Sequence, residues 1–496
     1  MSAAPSMLPT LARARVALPL LALWLGATAG LRPLLTPDEA RYAEVARAMV
    51  SGDRVVPQLD GLPFFHKPPL MYWLDAAAMA VLGPGEWAAR FAPMFGAWAM
   101  GAALFLALRR WAGPGEALAG LAVLATSMFF YVGGQYANHD MLVAGLITVA
   151  VLALARAAER PGQVERRWVV AGWAACALAV LAKGLIGVVL PGLVVLPWLL
   201  AARRGRDALA LLHPAALAVF AAIALPWFVA MQGRFPGFFD YFVVEQHVRR
   251  FAESGFNNAQ AFWFYFAVLP ALTLPWSLAL PGAWRVPAAD ARAASMRALA
   301  AWWVVAIVGF FSLPSSKLVG YVLPALAPWS LLLAAPVARW RRWPVLAGLS
   351  ALACVAVVAA LALKAPGSHR ALARELAARI APGEAVVMVD EYVYDLPYYA
   401  RLAEPAIVAS RWDDPDLPRH DNWRKELADA ARFDPAAAAR RLWPIERLGE
   451  LPCQGRVLWF VAGGAHAARV QALPGAQRVA ADAGLALWRV PARDCR

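Results

Sequence analysis

Asp38, Glu39, Arg41 and Tyr42 follow the first apolar segment of the chain within little more than one turn, so two carboxylates, a guanidinium and a phenol are presented together. A carboxylate so placed can take the proton of an incoming hydroxyl or amine, and a guanidinium can grip a phosphate through two parallel hydrogen bonds. Similar polar islands recur downstream: His66-Lys67-Pro68-Pro69, Asn138-His139-Asp140, Lys183-Gly184, Glu245-Gln246-His247 with Arg249 and Arg250, and Ser316-Lys317 with Tyr321. Lysine offers a compact cation to a phosphate. His66 and His247, with Glu245 or Asp140, are candidate ligands for a divalent metal, zinc or manganese. Each island also has a plainer reading: a helix-terminal charge pattern with a salt bridge, a snorkelling lysine, two unliganded loop histidines.

The segments between the islands place them. Of 496 residues, 61% are hydrophobic, too many for a water-soluble globule, so the chain reads as a polytopic membrane protein. Eleven apolar segments are candidate spans: 14–34, 86–108, 115–135, 139–157, 167–183, 184–201, 208–231, 261–281, 298–313, 318–337 and 343–364. Splits and re-entrant segments allow eleven to thirteen. Seventeen arginines cluster at alternate turns: 13–15, 109–110, 156–167, 203–206, 285–297 and 339–342. By the positive-inside rule these turns face the cytoplasm, and every polar island then faces outward. Much of the net charge of +14 is therefore a topology signal towards anionic lipid headgroups, and nucleic acid is not the expected partner. The stretch Val16 to Ala29 also fits a secretory signal, a reading that leaves the rest of the topology unchanged. Residues 37–49 and 70–82 have helical spacing and read as helices lying in the interface.

Composition changes after Lys364. Residues 1–364 form the expected membrane domain, and residues 365–496 a small soluble α/β domain on the outer side. Strands are expected at 385–390, 406–410, 456–462 and 485–490, with helices at 368–380, 423–431 and 465–473. No glycine-rich phosphate loop appears there, and the domain is assigned no chemistry. Cys453 and Cys495 lie in this domain and are either bridged or two free thiols, whereas Cys176 and Cys354 fall inside spans as small apolar side chains.

Taken together, Thr36-Pro37-Asp38-Glu39-Ala40-Arg41-Tyr42, Lys67-Pro68-Pro69 with Tyr72-Trp73, Asn138-His139-Asp140, Lys183-Gly184, His247-x-Arg249-Arg250-Phe251, and Ser316-Lys317-Leu318 with Tyr321-x-Leu323-Pro324 resemble a known family. It comprises the lipid A aminoarabinose transferases and their protein-mannosyltransferase-like, polyprenyl-phosphate-dependent relatives of the GT-C fold. The resemblance implies a multi-pass inner-membrane glycosyltransferase that inverts configuration. Its sugar donor is a polyprenyl phosphate, its acceptor a lipid or glycan, and its active site is periplasmic. It also implies Asp38 as the catalytic carboxylate, with Arg41, Tyr42, Lys67 and Tyr321 around the donor phosphate and Arg249 and Lys317 as further candidates for the same charge. From their positions among the outward islands, Asp140 is read as a second catalytic carboxylate and Lys183 and Arg250 as further substrate-binding cations. Relatives often carry glutamate where this chain has His66, so a metal site at His66 and His247 would be histidine-rich here. Two alternatives stand beside the aminoarabinose reading: the same donor with a protein or another glycan as acceptor, and a flippase or transporter of lipid-linked sugars. The few polar residues within the spans disfavour the last.

Overall fold

The computed structural model describes residues 8–249, 258–419 and 421–493. All eleven apolar segments are helical for most of their length, but they are unequal. Six helices among the described residues are long and apolar enough to cross a membrane: Ala88–Trp111, His139–Ala157, Pro214–Arg234, Ala291–Ser312, Val319–Ala338 and Trp343–Lys364. Phe264–Leu272 and Trp276–Arg285 make a seventh span only if counted together, and they meet at a bend of 101°. Of the eleven to thirteen candidate spans, with split and re-entrant segments among them, six or seven among the described residues are long and apolar enough to cross by length and composition. Ala14–Gly26, Pro114–Ala125 and Ile186–Ala201 have 10 to 17 residues, and at 1.5 Å per residue such helices fall short of the roughly 30 Å hydrocarbon layer.

Small residues let these helices approach closely. A Cβ on Gly145 would come within 2.0 Å of the Gly96 carbonyl oxygen, so Phe91–Trp111 and His139–Ala157 touch backbone to backbone. Four arginine stops converge at one end of this bundle. The Glu159 carboxylate accepts from Arg110, Arg156 and Arg292, and Arg204 donates to the Ala158 carbonyl. The opposite end of His139–Ala157 begins with His139 and Asp140, so the arginine cluster and the polar islands lie at opposite ends of one 19-residue helix.

The first long loop folds as two helices, Asp38–Ser51 and Leu70–Leu82, joined by the hairpin β1 (Gln58–Leu59) and β2 (Leu62–Pro63). After Lys364 the chain forms one six-stranded sheet of β3 (Ala385–Val389), β4 (Ile407–Ser410), β5 (Leu442–Pro444), β6 (Leu458–Gly463), β7 (Gln477–Asp482) and β8 (Leu485–Val490). Its order is β5-β4-β3-β6-β8-β7. Strands β5, β4, β3 and β6 run parallel, and β8 and β7 continue it antiparallel. Strands β5 and β7 escaped the sequence reading: β5 has three residues and β7 shows no run of buried apolar positions. Cys453 is disulfide-bonded, and its expected partner Cys495 lies outside the described residues.

This domain is docked on the first loop by polar contacts. Asp60 in the hairpin turn accepts from the Ala406 backbone N–H at 2.8 Å, Arg47 donates to the Leu402 carbonyl at 3.0 Å, and Arg370 pairs with Glu86 at 2.9 Å. Burial pushes the Asp60 carboxyl up to about 7, against the opposing pull of the Ala406 N–H and Arg441. A carboxyl raised in the folded state stabilises the docked form below its ordinary pKa of 3.8, and that contribution fades as pH rises through 7. Thermal scans of the purified protein should therefore show lower stability at pH 8.5 than at pH 5.5, by on the order of a few kcal/mol from this group. Asp60→Asn should flatten that slope.

Candidate active site

The polar islands meet in one cavity of about 920 Å³ between the helix ends opposite the arginine cluster and the C-terminal domain. Asp38, Arg41, Tyr42, His66, Lys67, Asp140, Lys183 and Tyr321 all line it, although the chain separates the first from the last by more than half its length.

The helix Asp38–Ser51 divides the adjacent carboxylates. Glu39 is fully buried and points away from the cavity. It is held by Arg32 and by Arg90, whose Nε lies 2.9 Å from Glu39 Oε1. Burial alone would raise its pKa, but the two guanidiniums hold it down at about 2. Asp38 faces the cavity with its side chain one-third exposed. Of the Asp38-Glu39 pair, only Asp38 is placed for chemistry.

Arg41 is clasped between Asp38 and Glu426, and its guanidinium lies 4.9 Å from the Tyr42 ring centroid and 5.6 Å from that of Tyr394. Glu426 comes from the C-terminal domain, to which the sequence reading gave no chemistry. The Asn422 side chain caps the helix Trp423–Ala431 by accepting from the Arg424 and Lys425 N–H groups, which fixes Glu426 in the first turn and aims it at the membrane domain. Tyr394 Oη donates to Glu426 Oε2 at 2.7 Å. Burial raises the Glu426 carboxyl, while Arg41 and the Tyr394 hydroxyl draw it back down only in part. Asn-Trp-Arg-Lys-Glu is a helix-start pattern in the sequence, but nothing local to it indicates that the helix faces Arg41.

On the other wall, Asp140 pairs with Lys183, and Asn138 Nδ2 donates to Asp140 Oδ2 at 3.0 Å. Lys183 Nζ lies 4.7 Å from the Tyr321 ring centroid. A Cβ on Gly320 would sit 2.6 Å from Asp140 Oδ2, so the glycine before Tyr321 is what lets this loop close on the carboxylate. Lys183 therefore stands in the cavity wall as half of an ion pair, which favours a working site over a bare turn marker.

Lys317 departs from its expected place. Its ammonium is buried and donates to the carbonyls of Gln260 and Pro314, while its backbone N–H bonds Asn258. It ties two loop segments together and does not line the cavity, a correction to its assignment as a substrate ligand. The backbone of His247 and Arg249 belongs to the π-helical stretch Asp240–Arg249. Their side chains, and all of Arg250, lie outside the described residues. His66 is buried at the cavity edge, with its ring 4.5 Å from that of Phe64 and 6.1 Å from that of Tyr241. Among the described residues no three His, Cys, Asp or Glu side chains are grouped to hold a metal ion.

A structure of ArnT from Cupriavidus metallidurans bound to undecaprenyl phosphate superposes with a TM-score of 0.80 over 96% of this chain and 97% of that one, at 24% identity. The chain has the GT-C fold of that structure. Residues 66–229 match the dolichyl-phosphate-mannose-protein mannosyltransferase family. The undecaprenyl phosphate-alpha-4-amino-4-deoxy-L-arabinose arabinosyl transferase of Pseudomonas aeruginosa is 36% identical over 310 residues, 60% of this chain and 55% of that protein. The enzyme of the same name from Aeromonas salmonicida is 35% identical over 352 residues, 67% of this chain and 63% of that protein. The chain thus spans about half the length of several curated relatives it matches. The GT-C architecture expected from the sequence, membrane helices with a C-terminal sheet domain, is the observed fold.

Proposed function

We propose that this chain transfers an aminoarabinose-type sugar from a polyprenyl-phosphate carrier to lipid A at the periplasmic face of the inner membrane. The observation that carries this is the cavity itself: Arg41, Lys67 and Lys183 converge at the outer ends of the helices, with the carboxylates of Asp38 and Asp140 among them. Periplasmic exposure rests on the arginine stops gathered at the opposite end of the bundle. The donor and the sugar follow the relatives' names and the undecaprenyl phosphate bound by the Cupriavidus protein, and lipid A as acceptor follows the resemblance in sequence.

An acceptor oxygen attacks the anomeric carbon as the bond from that carbon to the carrier phosphate oxygen breaks. Asp38 takes the acceptor's proton, and the electron pair of the broken bond leaves with the phosphate. That group changes from a singly charged diester to a doubly charged monoester, so nearby cations stabilise the developing charge more than the ground state. Lys67 and Arg41 are placed for this, with Tyr42 beside them. Lys183, held by Asp140 and facing Tyr321, adds positive potential from the other wall. Inversion follows from a single displacement.

Arg41 is already paired with Glu426, so the C-terminal domain sets how freely its guanidinium turns to a phosphate. Glu426→Ala removes a charge-assisted bond, and turnover should fall by roughly ten- to a hundredfold, the equivalent of the 1.5–3 kcal/mol such bonds contribute. Tyr394→Phe should give a smaller loss. A double-mutant cycle with Arg41→Lys measures the coupling directly. The function itself is tested by incubating purified protein in lipid nanodiscs with polyprenyl-phosphate aminoarabinose and lipid A. An aminopentose adduct on lipid A in the mass spectrum supports the proposal. Transfer to a protein or another glycan while lipid A stays unmodified refutes the acceptor, and no transfer to any of them refutes the reaction.

A further inference from the structure

In the C-terminal sheet the chain leaves β3 in one direction, to β4 and β5, and returns on the other side of β3 as β6. The strand order therefore reverses between β3 and β6. In open parallel sheets ligands bind outside the carboxyl ends of the strands at such a switch point. Here three side chains from three connections converge at that place. Ser410, ending β4, donates to Asp390 Oδ1 at 2.6 Å, and His466, in the turn and helix after β6, lies with Nε2 3.2 Å from Asp390 Oδ2. Asp390 and Gly464 take left-handed backbone angles, φ 51° and φ 50°, where the chain turns off β3 and β6.

Two further observations point to a ligand. Asp390, Glu391 and Tyr392 line the same 920 Å³ cavity as Arg41 and Lys67, so the crevice opens into the candidate active site. The buried Nδ1 of His466 has no hydrogen-bond partner among the described residues. Satisfied buried groups are the rule, so such an orphan marks a place where something else supplies the bond. The Asp390 carboxylate at the centre of the crevice is unsuited to phosphate. Carboxylate, imidazole and serine hydroxyl together suit hydroxyl groups.

We infer that the switch crevice of the C-terminal domain is a saccharide subsite that holds the glycan headgroup of the acceptor. This rests on the glycosyltransferase reading above, with the donor phosphate on the cationic wall and the acceptor sugar on the opposite one. The domain then selects the acceptor as well as closing the cavity.

Binding is measured with the full-length protein in nanodiscs, using deacylated, water-soluble lipid A headgroup as the probe, for wild type, Asp390→Asn, His466→Ala and Ser410→Ala. Melting temperatures and undecaprenyl phosphate binding serve as folding controls. The expected result is at least tenfold weaker headgroup binding in Asp390→Asn and His466→Ala. Acceptor KM should rise in parallel, with kcat at saturation within twofold and carrier binding unchanged. No headgroup binding to wild type, equal binding by all variants, or a fall confined to kcat overturns the subsite. Should Asp390→Asn prove unstable, Ser410→Ala, which leaves the carboxylate in place but frees Oδ1, must still change the affinity at least twofold. Headgroup binding that depends on Asp390 in a protein that transfers no sugar overturns the proposed reaction and leaves the subsite standing.

Discussion

Asp38→Asn should abolish nearly all transfer, by about 10²- to 10⁴-fold in kcat, while leaving carrier binding and thermal stability close to those of wild type. Asparagine keeps the shape and one acceptor oxygen but cannot take a proton. The Asp38 side chain is one-third exposed on the cavity wall, and its ion pair with Arg41 is partly solvated, so its contribution to folding is small. Arg41→Lys offers the informative contrast. Lysine keeps the charge but loses the fork that reaches Asp38 and Glu426 together. Carrier affinity should therefore fall along with kcat. Single-turnover kinetics with preformed donor complex separate the two cases: Asp38→Asn must slow the chemical step with the donor fully bound. If Asp38→Asn turns over within tenfold of wild type, Asp38 is not the base, and Asp140 is the carboxylate next in line.

The membrane architecture was legible because lipid imposes simple rules on sequence: long apolar runs, arginines at alternate turns, polar residues at the remaining ends. Those rules place Asp38, Arg41, Lys67, Asp140 and Lys183 on one side, and the cavity gathers all five. They do not say which way a side chain faces within that side. Glu39 and Asp38 are neighbours in sequence, and a helix turns them about 100° apart, one into the core and one into the cavity. Lys317 lies among the right motifs but is consumed by two carbonyls. Glu426 was invisible for the opposite reason. Its pairing with Arg41 spans 385 positions, and no periodicity or local motif encodes a contact made by docking one domain on another. Which apolar segments form one unbroken helix was not legible, because apolar length alone does not reveal where a helix breaks, as between Pro114–Ala125 and Met128–Gly133.

Glu39→Gln should destabilise the protein by about 3–5 kcal/mol, the usual cost of removing one partner from a buried ion cluster. Among the described residues Glu39 is the only acidic partner of two fully buried arginines, Arg32 and Arg90. Arg32 also donates to the Gln135 carbonyl, and Arg90 to the carbonyls of Ala29, Arg32 and Pro33. Glu39 in turn accepts from the backbone N–H groups of Leu35 and Ala137, at 3.0 and 2.8 Å. The cluster thereby staples the end of the first helix, the start of Asp38–Ser51 and the loop before His139, and so sets the position of Asp38 itself. The pH dependence has a definite sign. Because the folded-state carboxyl sits at about 2 against an ordinary 4.5, Glu39 stabilises the fold fully above pH 4.5 and loses that contribution as pH falls towards 2. Acid titration of wild type should therefore show a stability loss between pH 4.5 and 2 that Glu39→Gln lacks. Adding Arg90→Met to Glu39→Gln should recover part of the lost stability, since the second change removes the charge that the first left unpaired. Recovery of stability without recovery of turnover would show that the Glu39 cluster also fixes the geometry of Asp38. An additive second loss would mean that Arg90 is held by its three carbonyls independently of Glu39.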